Sequence, residues 1–421
     1  MATSRDYLLV VPVPHYALGD STAATESAFA LHLRMFKDSL RESFDTITVA
    51  GPAMSPGQFE HVAAAWSPLR ADADGIRFVC LYSASYSTLR RSLATPAIAW
   101  QLWKLTKTTR VVHTGLSELF TPMEFIALVL GWLRRRVLVF VADIDWHESA
   151  RMNLVTKTWS RGAYLRRVHI HDRWKSLQTR LARRFVDVVM LKGRDLVKQF
   201  GGGAPNVHLI LDSAHSRDML ITKAELLDRF TRRDQLDGQF RLVYFGRLTR
   251  YKGIAHMLHA VAGARRLGMG VTFDIFGSGE QDDELRALTT ELDLNGAARF
   301  NGPRPYGLNF LRELSDFDLM LAAPLSEDTP RSAIDAQARG IPVLAYDTYY
   351  YRDLVAEGAG VVCTPWNDID GMTRKIVELN ADPAELQRLT HLAVRFATLN
   401  TQEFWLARRA EWTLAACRKR A

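Results

Sequence analysis

Short apolar runs alternate with stretches of helical spacing along almost the whole chain. Residues 7–13, 46–50, 77–82, 110–113, 137–142, 186–191 and 207–211 are β-branched or apolar, and helical patterns separate them. A second series starts at 240–245 and continues through 271–276, 319–322, 341–345 and 358–362. Such alternation predicts an α/β protein with doubly wound parallel sheets, whose sites lie at the C-terminal ends of the strands. The two series are parted by a charged stretch that is helical in pattern over 223–231. The expected organisation is an N-terminal domain over 1–212, a linker over 213–238, a C-terminal domain over 239–398 and a terminal helical segment over 399–421.

Within the second series, residues 316–347 form a strand-helix-strand unit. An apolar strand at 319–322 leads to a loop with Glu327 and Asp328, then a helix beginning near Arg331 and a strand at 341–345. Thr329 stands where an N-cap is expected, Pro330 suits the first helical position, and Gly340 marks the end. A helix opening after a strand turns unpaired N–H groups toward the sheet edge, where a phosphate can dock. Glu327 and Asp335, eight positions apart, flank that place and suit the hydroxyls of a nucleotide sugar. Upstream, Gly246-Arg247-Leu248 leads to Lys252-Gly253, and two cations five residues apart can clasp a diphosphate. Gly277 and Gly279 follow the next strand; without a third glycine they are weak evidence for a dinucleotide.

Taken in order, these features resemble the retaining GT-B glycosyltransferases commonly called family 4. Their donor site has two acidic residues separated by seven others, then a small-residue helix and a Gly-x-Pro-Val strand, which here are Glu327, Asp335 and 340–343. The second acid is usually Glu, so Asp335 is a departure. The resemblance implies two Rossmann-like doubly wound domains facing across a cleft, with the terminal helix packing back toward the N-terminal domain. It also implies a nucleotide-sugar donor, retention of anomeric configuration and no metal or other cofactor. Arg247 and Lys252 would hold the donor diphosphate near Gly277 and Gly279, Glu327 would orient the sugar and Asp335 the ribose. Acceptor-side candidates are Gly19, where the family usually has paired glycines, and His113 and His147 at strand exits; Asp143 is a further catalytic candidate. By register Ala142 stands where the family has a histidine, so that histidine is either missing or displaced to His147.

Composition narrows the partners. The chain has 421 residues, 48% of them hydrophobic, and a formal charge of +8. Its three cysteines, Cys80, Cys363 and Cys417, form no C-x-x-C pair, which favours a reducing compartment and argues against a zinc or disulfide framework. Residues 8–13 are too short for a signal peptide and contain Pro12, and 125–133 are too short to span a bilayer, so a soluble or peripheral protein is expected. Residues 151–184 hold ten Lys or Arg against one acid, Asp172, a net +9, with Trp159, Tyr164 and Trp174 interleaved. Arg90, Arg91, Trp100, Trp103, Lys104 and Lys107 form a similar stretch. Such stretches suit an anionic membrane surface, and no nucleic-acid motif accompanies them. The expectation is a cytoplasmic transferase, peripheral at the inner face of the cell membrane, acting on a lipid-linked or polysaccharide acceptor. The alternatives are a non-catalytic nucleotide-sugar-binding or scaffolding protein and, from Gly277 and Gly279 alone, a dinucleotide-dependent oxidoreductase. The pair Asp143 and Asp145 invites a metal, but it lies in the half opposite the donor motif.

Overall fold

The computed structural model describes residues 5–143, 146–235 and 239–420, and the chain divides into two compact units. The first takes residues up to 143, then 161–211 and 403–420. Its strands are β1 (Asp6–Val10), β2 (Tyr16–Ala17), β3 (Thr22–Glu26), β4 (Thr46–Ala53), β5 (Trp66–Arg70), β6 (Ile76–Ser83), β7 (Thr109–Gly115), β8 (Val137–Ala142), β9 (Val188–Lys192) and β10 (Val207–Ile210). Seven of these form a parallel sheet in the order β10-β9-β8-β7-β1-β4-β6, among the described residues. Leu8 pairs with Thr48 on one side and Val112 on the other, which fixes the central register. The apolar runs of β8 and β9 lie in a sheet buried on both faces, as parallel sheets between helices are.

Tyr7, Leu33, Phe36, Phe44, Ile47 and Val139 fill one side of this sheet, and helix Gln402–Lys419 adds Leu406, Ala410 and Cys417 to the same core. That helix is fastened by Arg110 donating to the Cys417 carbonyl and by Arg420 pairing with Asp187 at 2.8 Å. The antiparallel sheet β2-β3-β5 has no counterpart among the apolar runs. Its strands are two to five residues long and include Ser67, Pro68 and several alanines, so backbone pairing and not an apolar face defines them.

The second unit takes residues 146–160 and 212–402, less 236–238, which lie outside the described residues along with Asp145 and part of the expected linker. Its strands β11 (Phe240–Phe245), β12 (Val271–Phe276), β13 (Ala298–Gly302), β14 (Leu319–Ala322), β15 (Val343–Tyr346) and β16 (Val361–Thr364) form a parallel sheet ordered β13-β12-β11-β14-β15-β16. Leu242, Phe273, Ile275, Leu319 and Leu344 meet Met257, Leu258 and Val261 of helix Ile254–Arg266 in its core.

Residues 212–235 group with this unit. Thr222 and Glu225 cap helix Lys223–Gln235 reciprocally, with backbone-to-side-chain bonds of 2.7 and 3.2 Å. Arg229 then donates to the carbonyls of Arg339, Gly340 and Phe317. The buried Arg339 returns bonds to Ser315, Met219 and Glu225. Buried guanidinium groups need this many acceptors to offset their lost hydration. Helix Trp146–Val155, from the N-terminal half of the sequence, also joins the second unit. Ser149 and Asn153 meet Ser326 at 2.6 and 3.1 Å.

In the first unit, helix Met123–Leu133 carries Glu124 at 3% exposure, and desolvation raises its carboxyl to about 7. A folded-state value above the unfolded 4.5 means stability is intact at low pH and falls as pH rises through 7. Relative to Glu124→Gln, the wild-type protein should lose about 3 kcal/mol between pH 4.5 and pH 7 and above. Urea unfolding of both proteins across that range measures it, and parallel curves would contradict the assignment.

Candidate functional site

The C-terminal edge of the second sheet gathers the chemistry-bearing loops. After β11 the chain turns at Gly246, and the Tyr244 hydroxyl donates to the Arg247 carbonyl at 2.9 Å. The exposed Arg247 guanidinium donates to the Tyr251 hydroxyl at 2.9 Å. The loop after β12 lies directly against this turn. A Cβ on Gly277, whose φ is +143°, would stand 1.9 Å from the Gly246 carbonyl oxygen, and one on Gly279 would stand 2.3 Å from that of Leu248. Backbone bonds from Leu248 to Ser278 and from Gln281 to Leu248, of 3.0 and 3.1 Å, close the seam. Both glycines are therefore required by loop-on-loop packing.

The loop after β14 is tied to the same turn by a 2.7 Å bond from the Leu325 N–H to the Tyr251 carbonyl. Here Lys252 pairs with Asp328, both largely buried, and its ammonium lies 5.2 Å from the Tyr251 ring centroid. Glu327 is 6% exposed and accepts from the Tyr349 N–H at 3.0 Å, at the start of helix Tyr349–Ala356. A carboxylate there complements the helix dipole. The next helix upstream, Arg331–Ala338, has Pro330 and not Thr329 at its N-cap, so no side chain caps that end. Arg331 lies 3.9 Å from Asp212.

Asp335 is 2% exposed, and its Oδ1 accepts from the N–H groups of Ala214 and His215 at 3.0 and 2.9 Å. The His215 Nδ1 is 3.2 Å from the same oxygen, and its Nε2 is 3.0 Å from the Ala397 carbonyl. Burial and then the Asp335 charge hold the Tyr306 phenol well above its usual value. The carboxylate expected to reach a ribose is thus engaged by the chain's own 214–215 segment, against which the shorter acid fits.

The remaining candidates lie on other elements. His113 is a core residue: the Tyr7 hydroxyl is 2.8 Å from its Nδ1, and desolvation, then Arg409, pushes its imidazole down to about 3. This places the His113 side chain within the packing of the first unit. Gly19 is exposed with nothing within 4 Å of a Cβ, so no close approach demands a glycine. Asp143 is exposed at the end of β8, and His147 is exposed beside Trp146 on the helix that belongs to the second unit. Among the described residues no group of three His, Cys, Asp or Glu could hold a metal ion. Asp328 and His215 are participants that the sequence did not single out; only the adjacency of Asp328 to Glu327 could have flagged the first.

Known proteins share the fold of this chain. Residues 229–393 match the family model described as glycosyl transferases group 1. The structure is similar to that of Anabaena HepE solved in complex with UDP, with a TM-score of 0.65 and 17% identity over 98% of this chain and 99% of that one. The chain therefore has the GT-B-like glycosyltransferase fold, and its second unit carries a glycosyl transferases group 1 domain. In sequence it is 25% identical over 264 residues to glycogen synthase of Mycobacterium tuberculosis, covering 60% of each chain. It is 28% identical over 148 residues to the lipopolysaccharide core biosynthesis glycosyltransferase LpsE of Rhizobium meliloti, covering 34% of this chain and 40% of LpsE. The match thus spans 60% of the length of the first of these relatives and less of the second.

Asp335→Ala would leave two buried N–H groups and a histidine ring without their acceptor. It should lower unfolding free energy by roughly 3–5 kcal/mol with no nucleotide present. Denaturant titration of the two proteins tests this, and equal midpoints would show that Asp335 does not hold the 214–215 segment.

Proposed function

We propose that the protein is a retaining glycosyltransferase that moves a sugar from a nucleotide-sugar donor to a lipid-linked or polysaccharide acceptor in cell-envelope or exopolysaccharide synthesis. The observation that carries this reading is the convergence of the Arg247, Lys252 and Glu327 loops on one sheet edge, inside the segment that matches the glycosyl transferases group 1 model. Arg247 supplies an exposed guanidinium to the leaving diphosphate, and electrostatic stabilisation of that growing charge is the main catalytic effect available. Lys252 adds a second cation once a ligand phosphate takes the place of Asp328. Glu327, fixed by the Tyr349 N–H, is rigid enough to orient a sugar hydroxyl. Asp335 acts on the donor indirectly, by positioning the segment at 214–215. HepE binds UDP, and LpsE carries a lipopolysaccharide core role in its name; both favour this donor and acceptor class. The strongly basic 151–184 stretch favours work at the inner face of a membrane.

One observation favours a second reading. The second acid of the motif is engaged by the chain itself, as it would be in a nucleotide-sugar-binding protein that transfers nothing. Thermal shift against UDP, GDP, ADP, dTDP and NAD separates these readings from unrelated ones. A bound nucleotide at 100 times its dissociation constant stabilises by about 2.7 kcal/mol, and NAD should give no shift. Incubation of the preferred nucleotide's sugar conjugates with membrane lipid extract then distinguishes transfer from binding. Arg247→Ala should weaken nucleoside diphosphate by about 1.5–3 kcal/mol while leaving the nucleoside unchanged. Equal loss for both ligands, measured by calorimetry, would remove the diphosphate clasp. Lys252→Ala is the poorer probe, because it strands a buried Asp328 carboxylate.

A further inference from the structure

The helical layer on one face of the first unit's sheet carries an apolar band on its outer side as well as on its inner one. Helix Thr88–Thr108 buries Ile98, Leu102 and Thr106 against the sheet, yet its outer stripe runs Leu89, Leu93, Pro96, Ala97, Trp100 and Trp103 at helical spacing. Leu93 is 73% exposed and Trp100 59% exposed, and the helix contains no acidic residue. Helix Met123–Leu133 packs beside it and leaves Trp132, at 51%, and Leu133 outward. The two are pinned at both ends: Ser92 donates to the Phe120 carbonyl, and the Arg134 guanidinium stacks 3.8 Å from the Trp103 ring centroid. Single exposed apolar residues are ordinary, but a continuous band on two adjoining helices is not.

A third helix extends the face with charge. Helix Arg173–Phe185 meets Met123–Leu133 through an edge-on contact of Phe125 with Trp174, centroids 5.0 Å apart, and meets the loop that precedes that helix through paired bonds of Gln178 with Ser117. Its exposed stripe, continued from the preceding turn, reads Ile170, Arg173, Leu177, Arg180 and Arg184. Lys104 and Lys107 rim the aromatic band, with the Lys104 ammonium 5.2 Å from the Trp100 ring centroid. The structure thus unites on one side two basic, aromatic stretches that are far apart in sequence.

We infer that this three-helix face docks on an anionic lipid bilayer, with Leu93, Trp100, Trp132 and Leu133 entering the headgroup–acyl boundary and Arg173, Arg180 and Arg184 meeting lipid phosphates. Tryptophan prefers that boundary because its ring is apolar and its N–H polar, and long cationic side chains reach from an apolar surface to charged headgroups. Charge complementarity selects the occupant: apolar residues ringed by cations, with Glu124 the one acid of the two apolar helices and buried, suit a negative surface with an apolar interior. The inference gives the proposed transferase its meeting place with a lipid-linked acceptor and rests on that reading only for its purpose.

The test is sedimentation of the full chain with vesicles of phosphatidylcholine alone and of phosphatidylcholine with phosphatidylglycerol. Binding should require the anionic lipid and weaken with salt, as the screening length falls from about 10 Å at 0.1 M to about 3 Å at 1 M. The double variant Trp100→Ser/Trp132→Ser should lower partitioning by roughly tenfold or more and abolish fluorescence quenching by brominated acyl chains. Arg173→Glu/Arg180→Glu should lower partitioning on anionic vesicles without touching the apolar band. Unchanged binding of both variants, equal binding to neutral vesicles, or a dimer in solution that the tryptophan variant dissolves would each overturn the inference. Nucleotide thermal shifts on the same variants keep the two proposals apart: they should match wild type, and a protein that binds vesicles but no nucleotide would sink the donor reading alone.

Discussion

The exits of β11 and β12 approach so closely that no side chain fits between them, and the candidate site is built on that contact. With Gly277 against the Gly246 carbonyl and Gly279 against that of Leu248, two loops become one rigid ledge. The ledge fixes the turn from which Arg247 and Lys252 project, and the Leu325 bond adds the Glu327 loop. An alanine at 277 would meet a backbone oxygen at 1.9 Å, which only movement of the ledge could relieve. The positions of the cations are therefore set by backbone packing, not by the cations' own partners.

Buried charge does a comparable job beneath that ledge. Arg229 and Arg339 stitch helix Lys223–Gln235 to the end of helix Arg331–Ala338, and Asp335 of the latter receives the backbone at 214–215. Bonds of this kind add modest net stability, yet leaving any one partner unmatched is costly, so the set specifies a single arrangement of residues 212–235.

Much of the fold was legible because parallel strands announce themselves as apolar runs. The strands 137–142, 240–245, 271–276 and 319–322 coincide with β8, β11, β12 and β14, and the others differ at their ends by a few residues. The β2-β3-β5 sheet was not legible, since two- to five-residue strands without an apolar face leave no period to read. Nor was the membership of helix Trp146–Val155 in the second unit, which is decided by bonds to Ser326 more than 170 residues away. In the site, the order of Arg247, Lys252, Glu327 and Asp335 was plain, but their partners were not. His215 and Asp328 belong to contacts 120 and 76 residues apart in sequence, and pattern alone does not register pairs of that kind. Of the outward tryptophans, Trp100 and Trp103 were legible beside their basic neighbours, whereas Trp132 was hidden for another reason. An apolar stripe reads as core until the structure shows that a different stripe of the same helix faces the sheet.

The Lys252–Asp328 pair also bears on which solutes the site notices. The lysine is held as a neutral couple, so its long-range pull on passing anions is largely cancelled and arrival there is not steered by its charge. An anion gains from Lys252 only by displacing Asp328, and a singly charged one merely exchanges one carboxylate-like contact for another. A multiply charged ligand that can also reach Arg247 gains more than it displaces. On the proposed donor reading, the resident aspartate would act as an internal competitor, setting a threshold of charge that small singly charged anions do not cross.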